Sequence, residues 1–296
     1  MGWNTTSDLD KFLVAADAYL RARAAENIVL LSAVQDAVAG KRSRSGESLY
    51  GWWEPPDGTG PRGAFLHNPS LPLLIAGQAP ETSAALAAPL ARAGRVVSGV
   101  DAPTDAADAF AAAWSQRAGV AVKIHRSSQV YRLADTLHGL EGGPRGRARP
   151  ATGADRLLLV EWLRAFGNEV GNLAVLPEAS ADDLLGYGGA VFWQADGKPV
   201  SMAIVTRPVA GVVRVNAVYS PPEHRGRGYA VAVIVAVSRA ALIGRAREVV
   251  IITDRARPLR WATRLGFEMI GERAVLSFGP PTGPMPRLTG PLPRIR

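Results

Sequence analysis

The chain has 296 residues, of which 47% are hydrophobic and 20% are charged. Because compact domains run to about 100–200 residues, this length and composition predict a globular protein of two domains. No run of 18 uncharged apolar residues occurs, and the first residues lack the basic and apolar pattern of a secretory signal. Cysteine is absent, which excludes disulfides and thiolate chemistry. Together these exclusions predict a cytoplasmic protein.

The net charge of +8 arises from 34 basic and 26 acidic residues. An excess of positive charge suits nucleic acid or an anionic small molecule. Basic residues concentrate in two short stretches, 145–149 and 224–228, and the tryptophans show no stacking pattern, so the anionic small molecule is favoured. No metal site is predicted, because ligand spacing is absent among the four histidines His67, His125, His138 and His224.

In residues 1–140 the apolar periodicity alternates between that of helices and that of strands. Helices are predicted at Leu9–Arg23, Ile28–Ala39, Thr82–Ala93 and Thr104–Arg117. Strands are predicted at Leu49–Trp53, Gly63–Leu66, Val96–Val100 and Val120–Leu133. We therefore expect a mixed N-terminal companion domain, which carries no chemical motif of its own.

Residues 141–146, rich in Gly, Pro and charge, predict a linker to a second domain at 147–278. Strands are predicted there at Arg147–Ala151, Gly189–Gln194, Pro199–Arg207, Val212–Ser220, Val249–Thr253 and Phe267–Phe278. Helices are predicted at Ala154–Gly167, Ser180–Tyr187, Gly228–Arg245 and Pro258–Leu265. The order β-α-α-β-β-β-α-β-α-β predicts a mixed sheet with helices on both faces, of the α/β (α+β) class. Six prolines in the tail, 279–296, predict an extended arm or a poorly ordered end.

The segment that carries chemistry is the Gly-rich basic loop between the strand ending at Ser220 and the apolar helix beginning at Gly228. Free amide groups at a helix start, the helix dipole and close backbone approach at glycine all favour an anion, so an anion site is predicted at 225–230. The loop is not a P-loop, because no Gly-Lys-Ser/Thr follows, and it lacks the three-glycine dinucleotide fingerprint. The alternative is a basic turn that only caps the helix.

Residues 147–278 resemble the GNAT superfamily of acyl-CoA-dependent N-acyltransferases. The run Arg225-Gly226-Arg227-Gly228-Tyr229-Ala230 matches the family's Arg/Gln-x-x-Gly-x-Gly/Ala pyrophosphate loop. The segments 252–254 and 264–268, the latter with Leu-Gly-Phe, resemble the family's fifth strand and the turn after the following helix. The resemblance implies a mostly antiparallel GNAT-type sheet, and the element order of residues 1–140 is compatible with a degenerate GNAT-like companion on the acceptor side.

The resemblance also implies a ligand and a reaction. Acetyl-CoA would be the acyl donor, with no metal, and the acceptor would be the amine of a small molecule that attacks directly in a ternary complex. Neither nucleic acid nor a membrane is implied as a partner. The implied CoA contacts are a pantetheine pairing along the strand and a pyrophosphate on the loop, formed by Val218, Tyr219, Ser220, Arg225, Gly226, Arg227, Gly228, Tyr229 and Ala230.

This sequence departs from the family at its acid and base. The predicted fourth and fifth strands hold no carboxylate where members often have a glutamate base, and Arg257 and Ala262 stand where an asparagine and a proton-donating tyrosine belong. The remaining candidate catalytic residues are Tyr219, whose alternative role is packing, and Asp254, whose alternative role is capping a turn. O-acyl transfer, other acyl-CoA chemistry and a non-catalytic CoA-binding protein therefore stay open as alternative functions.

An acceptor pocket would need side chains from elsewhere. Trp52, Trp53 and Glu54, together with His67, are candidates for its lining in the first half of the chain. The alternative is the ordinary alternation of core and surface residues along a strand.

Overall fold

The computed structural model of the chain describes residues 2–40, 48–77, 79–139, 142–170, 178–256 and 259–281. Its strands are β1 Trp3–Thr6, β2 Leu49–Trp53, β3 Gly63–His67, β4 Leu73–Ala76, β5 Gly99–Pro103, β6 Val120–Leu133, β7 Arg147–Pro150, β8 Ala190–Ala195, β9 Lys198–Val205, β10 Val212–Tyr219, β11 Glu248–Asp254 and β12 Glu268–Pro281. Its α-helices are α1 Leu9–Ala22, α2 Ile28–Val38, α3 Pro80–Arg92, α4 Thr104–Ala118, α5 Arg156–Glu169, α6 Glu178–Tyr187 and α7 Tyr229–Ile243. The predicted mixed, mostly antiparallel class is confirmed.

The residues form two compact units that interleave along the chain. Unit 1 comprises Met1–Leu20, Ala37–Ser127 and Arg273–Arg296, and unit 2 comprises Arg21–Asp36 and Ser128–Glu272. The unit boundaries therefore fall inside β6 and β12. The domain bounds expected from the sequence, 1–140, 141–146, 147–278 and 279–296, stay a prediction; of the tail, the structure describes only residues up to 281.

Each unit contains a sheet of the same topology. In unit 1 the strand order is β1-β2-β3-β4-β5-β12, and in unit 2 it is β7-β8-β9-β10-β11-β6. The described pairs are antiparallel except one in each sheet, β4 with β5 and β10 with β11. In each unit a helix, α3 or α7, connects the two parallel strands, as parallel pairing requires. The N-terminal half thus repeats the topology of the second half without a visible sequence repeat.

The last strand of each sheet comes from the other half of the chain. Residues 273–277 of β12 pair with β5 in unit 1, and residues 128–133 of β6 pair with β11 in unit 2. Because these strands satisfy the backbone groups of β5 and β11, neither unit can be completed from a contiguous half of the sequence.

Two expectations about local structure were wrong, and two short strands were missed. The helix predicted at 258–265 is a single 3-10 turn at Thr263–Leu265, which ends at Gly266 in a left-handed conformation; residues 257 and 258 lie outside the described part of the chain. The strand predicted at 96–100 begins at Gly99, because its pairing with β12 starts there. Strands β1 and β4 were not predicted, since each has only four residues, too few for a clear periodicity.

Helices pack on both faces of the unit 2 sheet. One apolar cluster joins Val215 and the partly buried Val218 of β10 to α7, through residues such as Val233 and Val237. The other joins Tyr219 and Ala217 to α5 and α6. The side chains at the end of β10 thus alternate between two apolar layers, which hold this strand between α7 and α5.

The unit 1 sheet carries an ion pair beside its apolar core. Arg273 on β12 donates to Asp101 on β5, with the Nη2 to Oδ1 distance at 2.7 Å and the Nε distance at 3.2 Å. The two side chains are only 8% and 16% exposed. Charges removed from water need their partner, so this pair is far more sensitive to loss of one member than a surface pair.

We predict that Arg273→Met destabilises the protein by about 3–5 kcal/mol, because it leaves the Asp101 carboxylate largely buried without its cation. The matched control is Arg255→Met, which breaks a pair with Glu272 whose side chains are 62% and 31% exposed and should cost about 0–1 kcal/mol. Urea unfolding followed by tryptophan fluorescence measures both. Equal shifts of the two midpoints would contradict the role of the Asp101 pair.

Candidate functional site

The site predicted from the sequence lies where β10 and β11 of unit 2 part. The described pairing of these parallel strands ends at Val215, opposite Ile251. Beyond that point β10 continues to Tyr219 paired with β9, and β11 continues to Asp254 paired with β6. The facing edges therefore diverge, and we call this opening the fork.

A bulge in β10 accounts for the divergence. Against β9, Val215 faces Val205 and Ala217 faces Ile204, so Asn216 is an extra residue in β10. A bulge bends its strand and increases the local twist, and this one lies at the point where pairing with β11 ends. The Arg214 guanidinium donates to the Asn216 side-chain oxygen and holds the bulged residue.

The connection from β10 to α7 is a Gly-rich basic loop beside the fork. After a 3-10 turn at Pro222–His224, Gly226 and Gly228 adopt φ of +74° and +78°, a conformation that L side chains rarely take. A Cβ at Gly226 would meet no heavy atom within 4 Å, and one at Gly228 would meet only Pro144, at 3.6 Å. The glycines are therefore required by backbone conformation, and the space beside Gly226 is open.

The loop presents the start of α7 to solvent. Gly228 is the N-cap residue and makes no side-chain capping bond, while its carbonyl accepts the Ala232 amide at 3.0 Å. The first amides of an α-helix have no acceptor within the helix, and the dipole makes this end positive. Residues 225–228 are exposed, and Tyr229 and Ala230 are half-buried. These backbone groups can receive an anion.

Arg225 is held by the protein rather than extended into solvent. Its Nε donates to the Ser220 carbonyl at 3.0 Å, and its guanidinium forms an ion pair with Glu169 at the end of α5. The hydrogen bond to Glu169 raises the pKa of Arg225. Arg225 therefore fixes the loop against α5, whereas Arg227 is exposed. Sequence reasoning missed this role of Glu169, because 56 residues separate it from its partner.

Tyr219 is a packed residue with a perturbed hydroxyl. Its side chain is 8% exposed and contacts Trp162 edge-on, with the ring centroids 5.9 Å apart. Burial, followed by the nearby Glu169 carboxylate, raises the pKa of Tyr219. The hydroxyl therefore remains protonated at neutral pH, so it can donate a proton but cannot serve as a base.

Two serines fix the end of β10. The buried Ser201 on β9 donates to the Tyr219 carbonyl at 3.1 Å, and the Ser220 hydroxyl donates to the Ser201 oxygen at 2.9 Å. The Tyr219 carbonyl is thus oriented toward β9. Sequence reasoning missed Ser201, whose only signal is a polar residue in an apolar strand.

Asp254 and Ala262 both take part in local structure. Asp254 is exposed, and its Oδ1 accepts the Ala256 amide at 2.8 Å, which is the turn-capping role named as its alternative. Ala262 is 0% exposed and packs with Leu265 and Phe267, so the position of the family's tyrosine is filled by core. Arg257 lies outside the described residues.

The tryptophans and His67 proposed for an acceptor pocket serve local structure in unit 1. Trp52 donates to Glu54 at 3.1 Å, and Trp53 packs edge-on against Trp3. His67 is 1% exposed with Nε2 3.0 Å from the Val96 carbonyl, and burial lowers its pKa. Among the described residues, no group of three or more His, Asp or Glu side chains is placed to hold a metal ion. No described helix is long and apolar enough to cross a bilayer.

Comparison with solved structures decides the fold. An acetyltransferase of the GNAT family from Colwellia psychrerythraea is 13% identical, with a TM-score of 0.58 over 94% of this chain and 99% of its own. A GCN5-related N-acetyltransferase from Sphaerobacter thermophilus is 15% identical, with a TM-score of 0.57 over 93% and 94%. This chain has a GNAT fold.

A third GNAT structure also aligns along nearly the whole chain. It is a tandem GNAT protein from the clavulanic acid biosynthesis pathway, 16% identical, with a TM-score of 0.50 over 96% of this chain and 100% of its own. No protein-family model matches the sequence, and no curated protein sequence matches it. The GNAT-type sheet expected from the sequence is thus confirmed at the level of fold, and the repeated topology agrees with a tandem arrangement.

We predict that Ala262→Tyr destabilises the GNAT fold of unit 2 by about 3 kcal/mol and does not supply a proton donor, because the new ring has no space in a close-packed core. Ala256→Tyr is the control, since Ala256 is exposed. Thermal unfolding compares the two. A stable Ala262→Tyr protein would show that the segment before Gly266 can open to the fork.

Proposed function

We propose that unit 2 binds an acyl-CoA and transfers its acyl group, acetyl or a related one, to the amine of a small acceptor. The observation that carries the proposal is the fork between β10 and β11 beside a Gly-rich loop at the start of α7. The fork has free strand edges and adjoins the Gly-rich loop at 225–230, which we call the cradle. This combination suits a ligand that is part peptide-like chain and part diphosphate.

The loop suits the diphosphate of CoA. Backbone amides at the start of α7 supply hydrogen-bond donors, and the positive φ of Gly226 and Gly228 lets the chain curve around an anion. The open space at Gly226 removes the steric obstacle that a side chain would create there. Arg227 adds positive charge, and the proposed contacts are Arg225, Gly226, Arg227, Gly228, Tyr229 and Ala230.

The end of β10 suits the pantetheine arm. Successive residues of a strand direct their amide and carbonyl groups to opposite sides, so part of the 216–219 backbone faces the fork rather than β9. The arm has two amides that can pair with such an edge as an added strand does. We assign this pairing to Val218, Tyr219 and Ser220, whose conformation Ser201 fixes.

The reaction follows from the chemistry of the thioester. The neutral amine attacks the carbonyl carbon, the C–S bond breaks, the thiolate takes up one proton and the ammonium loses one. The chain contributes proximity, a β10 amide that polarises the carbonyl, and proton transfer. Tyr219 is the proposed donor to the thiolate, because its hydroxyl stays protonated. Asp254, an exposed carboxylate at the end of β11, is the proposed proton acceptor.

We assign the CoA site to unit 2 alone, because the equivalent connection in unit 1 is short. Between β4 and α3 lie only residues 77–79, compared with 220–228 between β10 and α7. Pro80 stands in the first turn of α3, which removes one backbone donor, and a Cβ at Gly77 would lie 3.2 Å from the Gly63 Cα. Unit 1 therefore keeps the topology without the cradle, which supports the proposed degenerate GNAT-like half.

A non-catalytic CoA-binding protein is the second candidate, and the buried Ala262 favours it because no tyrosine can lie there. O-acyl transfer and other acyl-CoA chemistry would use the same cradle. Incubation with acetyl-CoA and a panel of amines, alcohols and no acceptor, with mass spectrometry of the products, separates the three. CoA binding without any product would support the second candidate.

We predict that Gly228→Asp weakens CoA binding on the order of 100-fold, because it places a carboxylate beside the diphosphate and strains the loop. The matched control is Gly188→Asp, at a glycine of unit 2 with φ +72° and open space around its Cβ. Calorimetry with CoA measures both. Equal affinity of the wild type and the Gly228→Asp variant would remove the site from this loop.

We predict that Tyr219→Phe lowers the turnover number by about 10–100-fold while CoA affinity is retained, because the fork loses its proposed proton donor. Steady-state kinetics with the identified acceptor, together with CoA calorimetry, provide the measurement. A variant as active as the wild type would assign thiolate protonation to water.

A further inference from the structure

A second basic feature of unit 2 lies at the start of β11, away from the Gly-rich loop. It is a cavity of about 380 Å³ between the segment that connects α1 to α2, the end of β6 and the first residues of β11. We call it the arginine pocket. Its volume lies within the range of small-molecule sites. Its charged lining residues are Arg21, Arg23, Glu26, Arg132, Arg247 and Glu248.

The lining carries a net positive charge. Four guanidinium groups face two carboxylates, so the formal charge is about +2 in a cavity whose other lining residues are all alanines. Alanine at these positions leaves the space open rather than filling it with apolar side chains. The charge matches that of one phosphomonoester, which carries about −1.5 to −2 at neutral pH.

The described part of the protein does not supply a hydrogen-bond acceptor for every donor of the Arg132 guanidinium. Its Nη atoms lie 3.4 Å from Glu248 and 3.5 Å from Glu268, and its buried Nε has no hydrogen-bond acceptor among the described residues. By contrast, Arg149 in the same unit meets both oxygens of Asp155 at 2.7 and 2.8 Å. Buried donors in folded proteins are nearly always paired, so the unpaired Nε of Arg132 indicates an acceptor that these residues of the protein do not supply.

Two other arginines of the pocket differ in how firmly the protein holds their guanidinium groups. Arg247 is held by a bond of 2.7 Å from its Nη2 to the Ala210 carbonyl. The Arg23 guanidinium lies 3.7 Å from Glu26 and is 61% exposed, so it can turn toward a ligand at little cost. A fixed cation and a mobile one beside Arg132 form a setting suited to an oxyanion.

We propose that the arginine pocket binds a phosphate-bearing small molecule. Guanidinium groups recognise phosphate through paired N–H donors, and the dianion would supply the acceptor that Arg132 lacks. The pocket lies at Glu248, whereas the fork opens beyond Ile251 and ends at Asp254, three to six residues along the same strand and therefore roughly 10–20 Å away. This site is independent of the proposed CoA cradle.

Calorimetry of the full chain with inorganic phosphate and with ribose 5-phosphate tests the proposal, with ribose as the uncharged control. Arg132→Gln and Arg23→Gln should each raise the dissociation constant for phosphate about tenfold. Arg239→Gln is the charge-matched control on the exposed face of α7 and should leave it unchanged. Because Arg132 also pairs with two carboxylates, Arg23→Gln provides the test in a protein whose folding does not depend on the altered side chain.

The CoA loop could also attract phosphate, so the Gly228→Asp variant distinguishes the two sites. Phosphate binding that is retained in that variant, and weakened about tenfold on addition of Arg23→Gln, supports the pocket even if CoA does not bind the chain at all. Phosphate binding that disappears in Gly228→Asp, or that survives both arginine substitutions, would overturn the proposal. Failure of both phosphate probes to bind at millimolar concentration would also overturn it.

Discussion

The parting of β10 from β11 is the constraint on which the rest of unit 2 depends. A strand inside a sheet ordinarily satisfies backbone groups on both of its edges. After the bulge at Asn216, the end of β10 keeps β9 as its partner while β11 stays with β6. The backbone edge exposed by this divergence is tolerable only where a ligand or solvent can reach it. The fork therefore arises from strand pairing, before any side chain is considered.

Packing and charge then hold that opening in place. Tyr219 and Val218 point into apolar layers on opposite faces, so the end of β10 cannot rotate without exposing one of them. Arg225 links the loop to α5 through Glu169 and to β10 through the Ser220 carbonyl. Arg225 thus positions the loop whose backbone amides we propose as contacts of the anion.

The two units share a topology but differ in the connection that precedes the crossover helix. Each sheet has six strands, and the antiparallel and parallel pairs follow one another in the same order in both. Both sheets obtain their last strand from a distant part of the chain. Sheet and core need the strands and the crossover helix, but not the loop before that helix. The β4–α3 connection has only residues 77–79, while apolar residues such as Phe65, Leu86 and Phe110 form the unit 1 core.

Local chemistry made part of this structure predictable. The sequence alone determined most helices and strands of both halves and the Gly-rich loop with its helix, because periodicity and glycine conformation act over neighbouring residues. Tertiary structure decided the exchange of β6 and β12, the fork, the pairing of Glu169 with Arg225 and the burial of Ala262. Each of these depends on residues brought together from distant parts of the chain, and no local pattern encodes which strand edges or charges will meet.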